Sequence, residues 1–389
     1  MKGFGKMKRR NKLTLLITIS ITLALFLSVQ NAAAANRKEL LEQFCLSNQH
    51  SSGAFLDTPT GNVEDEGLLS EFTTYANLFI LAQIDSELTN LNDQGIIRSY
   101  LRDRYLQFSD VGSGIITQAY YAYFGGILLD TNFTSTMIED ATTKLFELQN
   151  DTTNGFASAE ATEANIPDTY FAVKLLTTFG KINETSPTNL ANFVFSTWDA
   201  ENSAFASIPG GEATIIDTYY ALATLSELNS LNQLNSTQIQ GISDFVESYY
   251  FGDPTQSLHY GGYGIQTGIT QSSLLLTYFA THILSLLDIP LHEETLTWVL
   301  SRQNPTDYGF ADVSSGNAEL ISSAKLSYYA VSTILLYDSE AFSTSRNALM
   351  NEEIWQLETN PWAITGIVIG SIATVALIIF GIYKYRNRI

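Results

Sequence analysis

Apolar and polar residues follow two helical schedules along this chain. Segments 96–108, 136–149, 239–250 and 293–302 have mixed faces, the pattern of a helix covered on one side only. Segments 70–84, 168–179, 217–228, 271–287 and 322–337 are apolar around most of their circumference and carry few charges. A helix of that kind is buried on most sides. The two kinds alternate, and a glycine or small residue near an aromatic stands between each mixed segment and the apolar one after it. Strand-like alternation bounded by tight turns is scarce. The pattern predicts a repeated helical hairpin.

The repeat can be read directly. Gly155-Phe156-Ala157-Ser158 leads to Asp168-Thr169-Tyr170-Phe171, and Ala204-Phe205-Ala206-Ser207 leads to Asp217-Thr218-Tyr219-Tyr220. Gly53-Ala54-Phe55, Gly261-Gly262-Tyr263 and Gly309-Phe310 open further copies, and Gly114-Ile115 opens the weakest. Positions 53, 114, 155, 204, 262 and 309 lie 41 to 61 residues apart, which holds two helices and their loops. An open stack of six hairpins needs polar end caps. The apolar second helices favour closure instead, giving an all-α fold, an (α/α)6 toroid of two concentric rings of six helices. The toroid is expected over 36–340, followed by a stalk at 341–360.

Both ends address the chain to a membrane. Six basic residues before residue 13, an apolar run at 13–29 and Ala32 to Ala35 form a signal peptide at 1–35. Residues 363–383 carry no charge and are followed by Lys384, Arg386 and Arg388. That order predicts a transmembrane helix at 361–383 and a cytoplasmic tail at 384–389. The expected topology is single-pass type I in the cell membrane, with the toroid extracellular. Sequons at Asn132, Asn150, Asn183 and Asn235 agree with export.

Composition then removes several function classes. All 40 acidic residues lie within 37–360, against 11 of the 20 basic ones, so nucleic-acid binding is excluded. Cys45 is the lone cysteine, which leaves no intrachain disulfide and no multi-cysteine zinc site. Glu64-Asp65-Glu66 lacks calcium-loop spacing and reads as solvated charge.

The glycine–aromatic turn followed by Asp217-Thr218-Tyr219-Tyr220-Ala221-Leu222 resembles the repeat of protein prenyltransferase β-subunits and of squalene or terpene cyclases. Complement-type thioester domains share the toroid. The resemblance implies zinc ligands near the start of one inner helix and on a later one. This chain offers Gln271, Ser273 and Ala324 or Lys325 at those places. Zinc takes thiolate, imidazole or carboxylate, so neither a metal nor a cofactor is expected. The Asp-x-Asp-Asp acid of type II cyclases, the Asp-Asp-x-x-Asp magnesium cluster and the Cys-Gly-Glu-Gln thioester string are also absent from the sequence.

Candidate site residues cluster at the starts and inner faces of the apolar helices. Asp168 and Asp217 begin equivalent helices, with Thr73, Gln118, Gln271 and Ser322 expected as their counterparts in a polar rim. Packed helices about 8–10 Å apart would suit an inverting carboxylate pair, whereas helix N-capping is the simpler use of such residues. Tyr170, Tyr219 and neighbouring aromatics either line a cavity or fill space between the rings, and about a third would face inward. His282 lies on an inner helix; His50, His259 and His292 do not, and no metal-binding pair is spaced for one helix face. The candidate ligand-binding set is Asp168, Tyr170, Asp217, Tyr219, Gln118 and Gln271. The expected function is a membrane-anchored ectodomain binding an apolar small ligand or an extracellular protein. The alternative is a toroid-class enzyme, either prenyltransferase- or cyclase-like or carbohydrate-active through Asp168 and Asp217.

Overall fold

The computed structural model describes residues 35–59, 70–110, 114–159, 161, 163–265, 271–312, 321–345 and 348–354. The chain forms two compact units. In the smaller, made of the terminal segments, Ala35–Asn36 pairs antiparallel with Glu353–Ile354. The larger, Arg37–Glu352, holds twelve α-helices among the described residues. They form six hairpins: α1 (Arg37–Ser47) with α2 (Glu71–Ile84), α3 (Gln94–Ser109) with α4 (Ile116–Leu128), and α5 (Ser135–Glu147) with α6 (Ile166–Thr178). The others are α7 (Pro187–Ser196) with α8 (Ile215–Glu227), α9 (Ser236–Glu247) with α10 (Leu274–Leu286), and α11 (Glu293–Leu300) with α12 (Ala324–Tyr337).

The even-numbered helices form a closed inner ring, each packing on the next and α12 packing back on α2. The sequence expectation of a six-hairpin α/α toroid therefore holds. Five of the six inner helices are positioned by their own turns. The hydroxyls of Thr74, Thr169, Thr218, Thr277 and Ser327, at the fourth position of their helices, accept from the backbone N–H of a turn aromatic. The donors are Phe55, Phe156, Phe205, Tyr263 and Phe310, at 2.9 to 3.1 Å. All five aromatics and all five hydroxyl residues are buried, so each of these amides depends on that acceptor. In the second hairpin Ala119 takes the hydroxyl position.

Neighbouring hairpins are joined by the same turns. The first amide of α4 donates to Ser158 Oγ, that of α6 to the Ser207 carbonyl, and that of α10 to the Asp312 carboxylate. At the seam the first amide of α12 donates to the Asp57 carbonyl at 2.7 Å. The Asp57 carboxylate also accepts from Ser323 Oγ and the Lys325 amide. The turn glycines allow the outer ring to close in the same sense. A Cβ at Gly155 would fall 2.5 Å from the ring of Phe193 on α7, and one at Gly309 would fall 2.7 Å from the ring of Phe44 on α1.

Two boundaries differ from expectation. Residues 341–352, expected as stalk, belong to the toroid unit. Ala341, Phe342 and Met350 are buried in one cluster with Leu41 and Phe44 of α1, and Lys38 Nζ donates to the Phe342 carbonyl at 2.9 Å. Helix α10 also begins later than expected, because Gln271–Ser272 pairs as a short strand with Gly264–Ile265, and α12 begins at Ala324 behind its N-cap Ser323. No helix among the described residues is long and apolar enough to cross a membrane. The expected signal peptide, span and tail lie outside the described residues, as does Glu64-Asp65-Glu66. Asn132, Asn150, Asn183 and Asn235 are all exposed.

Thr169→Val and Thr218→Val each strip the acceptor from a buried turn amide while preserving shape. Each should lower stability by about 1–3 kcal/mol in denaturant unfolding, and Thr→Ser at the same sites should restore most of it. Unchanged midpoints in both valine variants would remove the hydroxyl from its role.

Candidate functional site

The residue after each latch position faces the axis. It is tyrosine in all six inner helices: Tyr75, Tyr120, Tyr170, Tyr219, Tyr278 and Tyr328, each the fifth residue of its helix. A second aromatic follows in five helices: Tyr121, Phe171, Tyr220, Phe279 and Tyr329. In α2 that place is Ala76, and Phe72 supplies a ring instead, stacking on Tyr121 at 4.5 Å between centroids. Ring contacts run around the whole circle. Tyr170 meets Tyr219 at 6.3 Å, Tyr219 meets Tyr278 at 5.7 Å, and Tyr328 meets Tyr75 at 5.7 Å. The Tyr219 and Tyr278 hydroxyls are 3.4 Å apart.

Burial pushes every one of the six phenols above its ordinary range, neighbouring phenols adding to most of the shifts; that of Tyr219 reaches about 12. The six hydroxyls are therefore neutral at physiological pH, able both to donate and to accept. Tyr75, Tyr120, Tyr170 and Tyr328 keep some accessible surface although helices surround them. Residues so placed surround the axis of the inner ring and meet one another across it.

The expected polar rim is only partly there. Asp168 and Asp217 stand at the third helical position, and the N-caps are Asn165 and Thr214. The Asp168 carboxylate accepts from the Ser158 amide at 2.9 Å, Ser158 Oγ at 2.7 Å and Asn165 Nδ2 at 2.8 Å. Asp217 accepts from Thr214 Oγ1 at 2.6 Å, and burial raises its pKa against the pull of Thr214 and Ser207. Each carboxylate is thus tied into its own hairpin turn. Gln118 shares the third position and lies 3.4 Å from the Glu71 carboxylate. Gln271 and Ser322 do not, since the true counterparts in α10 and α12 are Leu276 and Leu326. The N-cap always stands five residues before the lumen tyrosine, as Ser273 and Ser323 do here, and counting back from Tyr278 and Tyr328 finds it.

The positions at which the sequence resemblance placed zinc ligands are occupied differently. Ser273 caps α10, accepting from the Leu276 amide at 3.1 Å, and Lys325 Nζ lies 5.9 Å from the Phe72 ring centre. Among the described residues no group of three or more His, Cys, Asp and Glu side chains gathers. His259 bonds Ser272, His292 bonds Glu247 while stacking on Tyr250, and His50 bonds Ser52. Cys45 is buried, and burial with the nearby Glu42 charge pushes its thiol far above the ordinary range.

Three lumen residues escaped the sequence reading as a group. Lys174 and His282 lie four residues after Tyr170 and Tyr278, and Glu227 lies eight after Tyr219, so helical spacing puts them on the lumen face. Lys174 Nζ and a Glu227 carboxylate oxygen are 2.5 Å apart, bridging α6 and α8. His282 Nδ1 lies 2.8 Å from the Tyr278 carbonyl, which makes Nδ1 the protonated nitrogen and leaves Nε2 as an acceptor. Burial pushes its pKa down to about 4.

Residues 3–113, 106–311 and 264–365 match the Prenyltransferase alpha-alpha toroid domain. The chain belongs to this family. Among solved toroids of the same fold is Candida albicans protein geranylgeranyltransferase-I complexed with GGPP, at TM-score 0.55 and 15% identity, covering 70% of this chain and 85% of that one. Another is the type II terpene cyclase MstE from Scytonema, at TM-score 0.53 and 11% identity, covering 77% and 96%. A variant of that cyclase in complex with its substrate geranylgeranyl dihydroxybenzoate is similar at TM-score 0.50 and 11% identity, covering 77% and 96%. At these identities the likeness is one of fold. No curated protein matches the chain in sequence.

The buried imidazole of this toroid predicts a pH dependence. Its folded pKa lies below the unfolded value of 6.5, so the unfolded chain takes the proton first. Stability should therefore fall as pH drops from 6.5 towards 4, by at most about 3 kcal/mol. Asp217, with its raised pKa, works in the opposite direction, so the useful quantity is the difference between wild type and His282→Gln. That difference should shrink on acidification through this window, measured by denaturant unfolding at stepped pH, and a constant difference would refute the assignment.

Proposed function

We propose that this toroid is a membrane-anchored binding module, held on the outer side of the cell membrane, that keeps an apolar small molecule in its aromatic lumen. The observation that carries the reading is the tyrosine belt. One residue type occupies one helical position in all six repeats and turns the same face to the axis. Packing between rings alone does not call for six phenols at the centre, whereas an apolar guest needs a wide aromatic surface with a few hydroxyls to orient it. The fungal transferase with GGPP and the cyclase with geranylgeranyl dihydroxybenzoate both hold geranylgeranyl compounds, which favours an isoprenoid-like guest here.

Binding is preferred to transfer or cyclisation on chemical grounds. Ser273 is spent as a helix cap, and neither it nor Gln271 supplies a thiolate or imidazole. Asp168 and Asp217 are each engaged by their own turns, which does not suit a pair flanking a glycosidic bond. The membrane part rests on the uncharged run 363–383 and the basic residues after it.

Organic extraction of the purified full chain should release about one equivalent of an apolar molecule, and metal analysis should find no tightly bound zinc. One zinc per chain with prenyl transfer to a thiol acceptor would establish an enzyme instead. Protease added to intact cells should remove 37–352 and spare a C-terminal tag; loss of the tag with survival of the toroid would reverse the topology.

A further inference from the structure

Resting on that reading of the lumen, we propose that its guest is an uncharged molecule carrying a hydroxyl group. The hydroxyl donates to His282 Nε2 while the carbon skeleton lies against the rings of Tyr219 and Tyr278.

The geometry of the imidazole sets the polarity of the contact. His282 spends Nδ1 on the Tyr278 carbonyl one turn back, at 2.8 Å. Its ring centre lies 4.0 Å from that of Tyr278 and 5.9 Å from that of Tyr219 on the adjacent inner helix. Nε2, on the other side of that ring, keeps its lone pair beside the two phenols and has no donor among the described residues. An acceptor deep in an apolar site selects a guest that brings a proton, because an unmatched lone pair there forfeits a hydrogen bond. It also repels an anionic oxygen.

The charges on the lumen wall point the same way. The six inner helices carry only Glu71, Asp168, Lys174, Asp217, Glu227 and Lys325 as charged side chains. Lys174 and Glu227 neutralise each other across the lumen face. Glu71 pairs with Arg104 of outer helix α3 at 3.0 Å, and the two aspartates are held by their turns. Lys325 stands alone at the second position of α12, above Phe72. A diphosphate carries several negative charges and is held by clusters of cations or metal ions. One rim lysine beside Glu71, Asp168 and Asp217, which begin their helices at the same end, is no such cluster. Phenols and an imidazole acceptor suit an alcohol.

The test uses the full chain purified in detergent and three probes with the same carbon skeleton: geranylgeraniol, its methyl ether and geranylgeranyl diphosphate. Calorimetric titration should rank the alcohol about fivefold or more above the ether, the value of one hydrogen bond of about 1 kcal/mol, and above the diphosphate. In His282→Leu the alcohol and ether should bind alike, and His282→Gln, which restores an acceptor, should recover part of the preference. Equal binding of alcohol and ether to the wild-type chain, or tighter binding of the diphosphate, overturns the inference while leaving an apolar-binding lumen intact. Binding of none of the three overturns both. The wild-type comparison needs no variant to fold.

Discussion

A buried amide with a single available acceptor governs this fold. The N–H of each turn aromatic is carried into the interior with its ring, out of reach of water, and in five hairpins it ends on a threonine or serine hydroxyl four residues into the inner helix. Leaving such a group unpaired costs about 1–3 kcal/mol, so turn and helix can meet in one register only. The next residue is then fixed towards the axis, and it is always tyrosine. The latch that holds five of the six hairpins together also sets which residues face the axis. In α4, where Ala119 takes the latch position, Tyr120 keeps its place through ring contacts with Tyr121, Phe124 and Phe171.

The number of hairpins and the division into inner and outer helices were legible because burial on all sides erases amphipathicity. A helix such as α10 has almost no polar face, while its partner α9 has a wide one. Register was harder to read. Asp168 and Asp217 look like caps beside their helices, yet Asn165 and Thr214 accept from the amides of those very aspartates. In hairpins five and six, strings of polar residues before the helix hide the cap, and the shift moved Gln271 and Ser322 out of the ring they were expected to share. Phe342 and Met350 gave no sign of joining the core, since isolated apolar residues in an irregular segment carry no period. Lys174, Glu227 and His282 become a group only once the tyrosines mark which face is the lumen.

The lumen combines features that an enzyme of this fold class and a binding module would use differently. Its phenols are neutral, and the Lys174–Glu227 pair on its face is internally satisfied. A wall of that kind supplies contact area and hydrogen bonds without a strong local field. The proposed binding role calls for that combination, because it offers contact area without a field that would stabilise developing charge.

The seam at Asp57 has a consequence for how the ring is made. The side-chain bond from Ser323 to Asp57 joins residues 266 apart in sequence. Hairpins one to five can stack on one another in the order of synthesis, the third and fourth turns receiving the first amide of the inner helix before them. The outward side of the first hairpin has no partner until the sixth is complete, so an unfinished chain is an open arc with Phe44 uncovered. Closing a loop of that length adds little to the equilibrium cost but slows the final step. The ring therefore passes late through a state with one bare edge. That edge, rather than any interior helix, is where a partly made chain is most exposed to pairing with a second copy of itself.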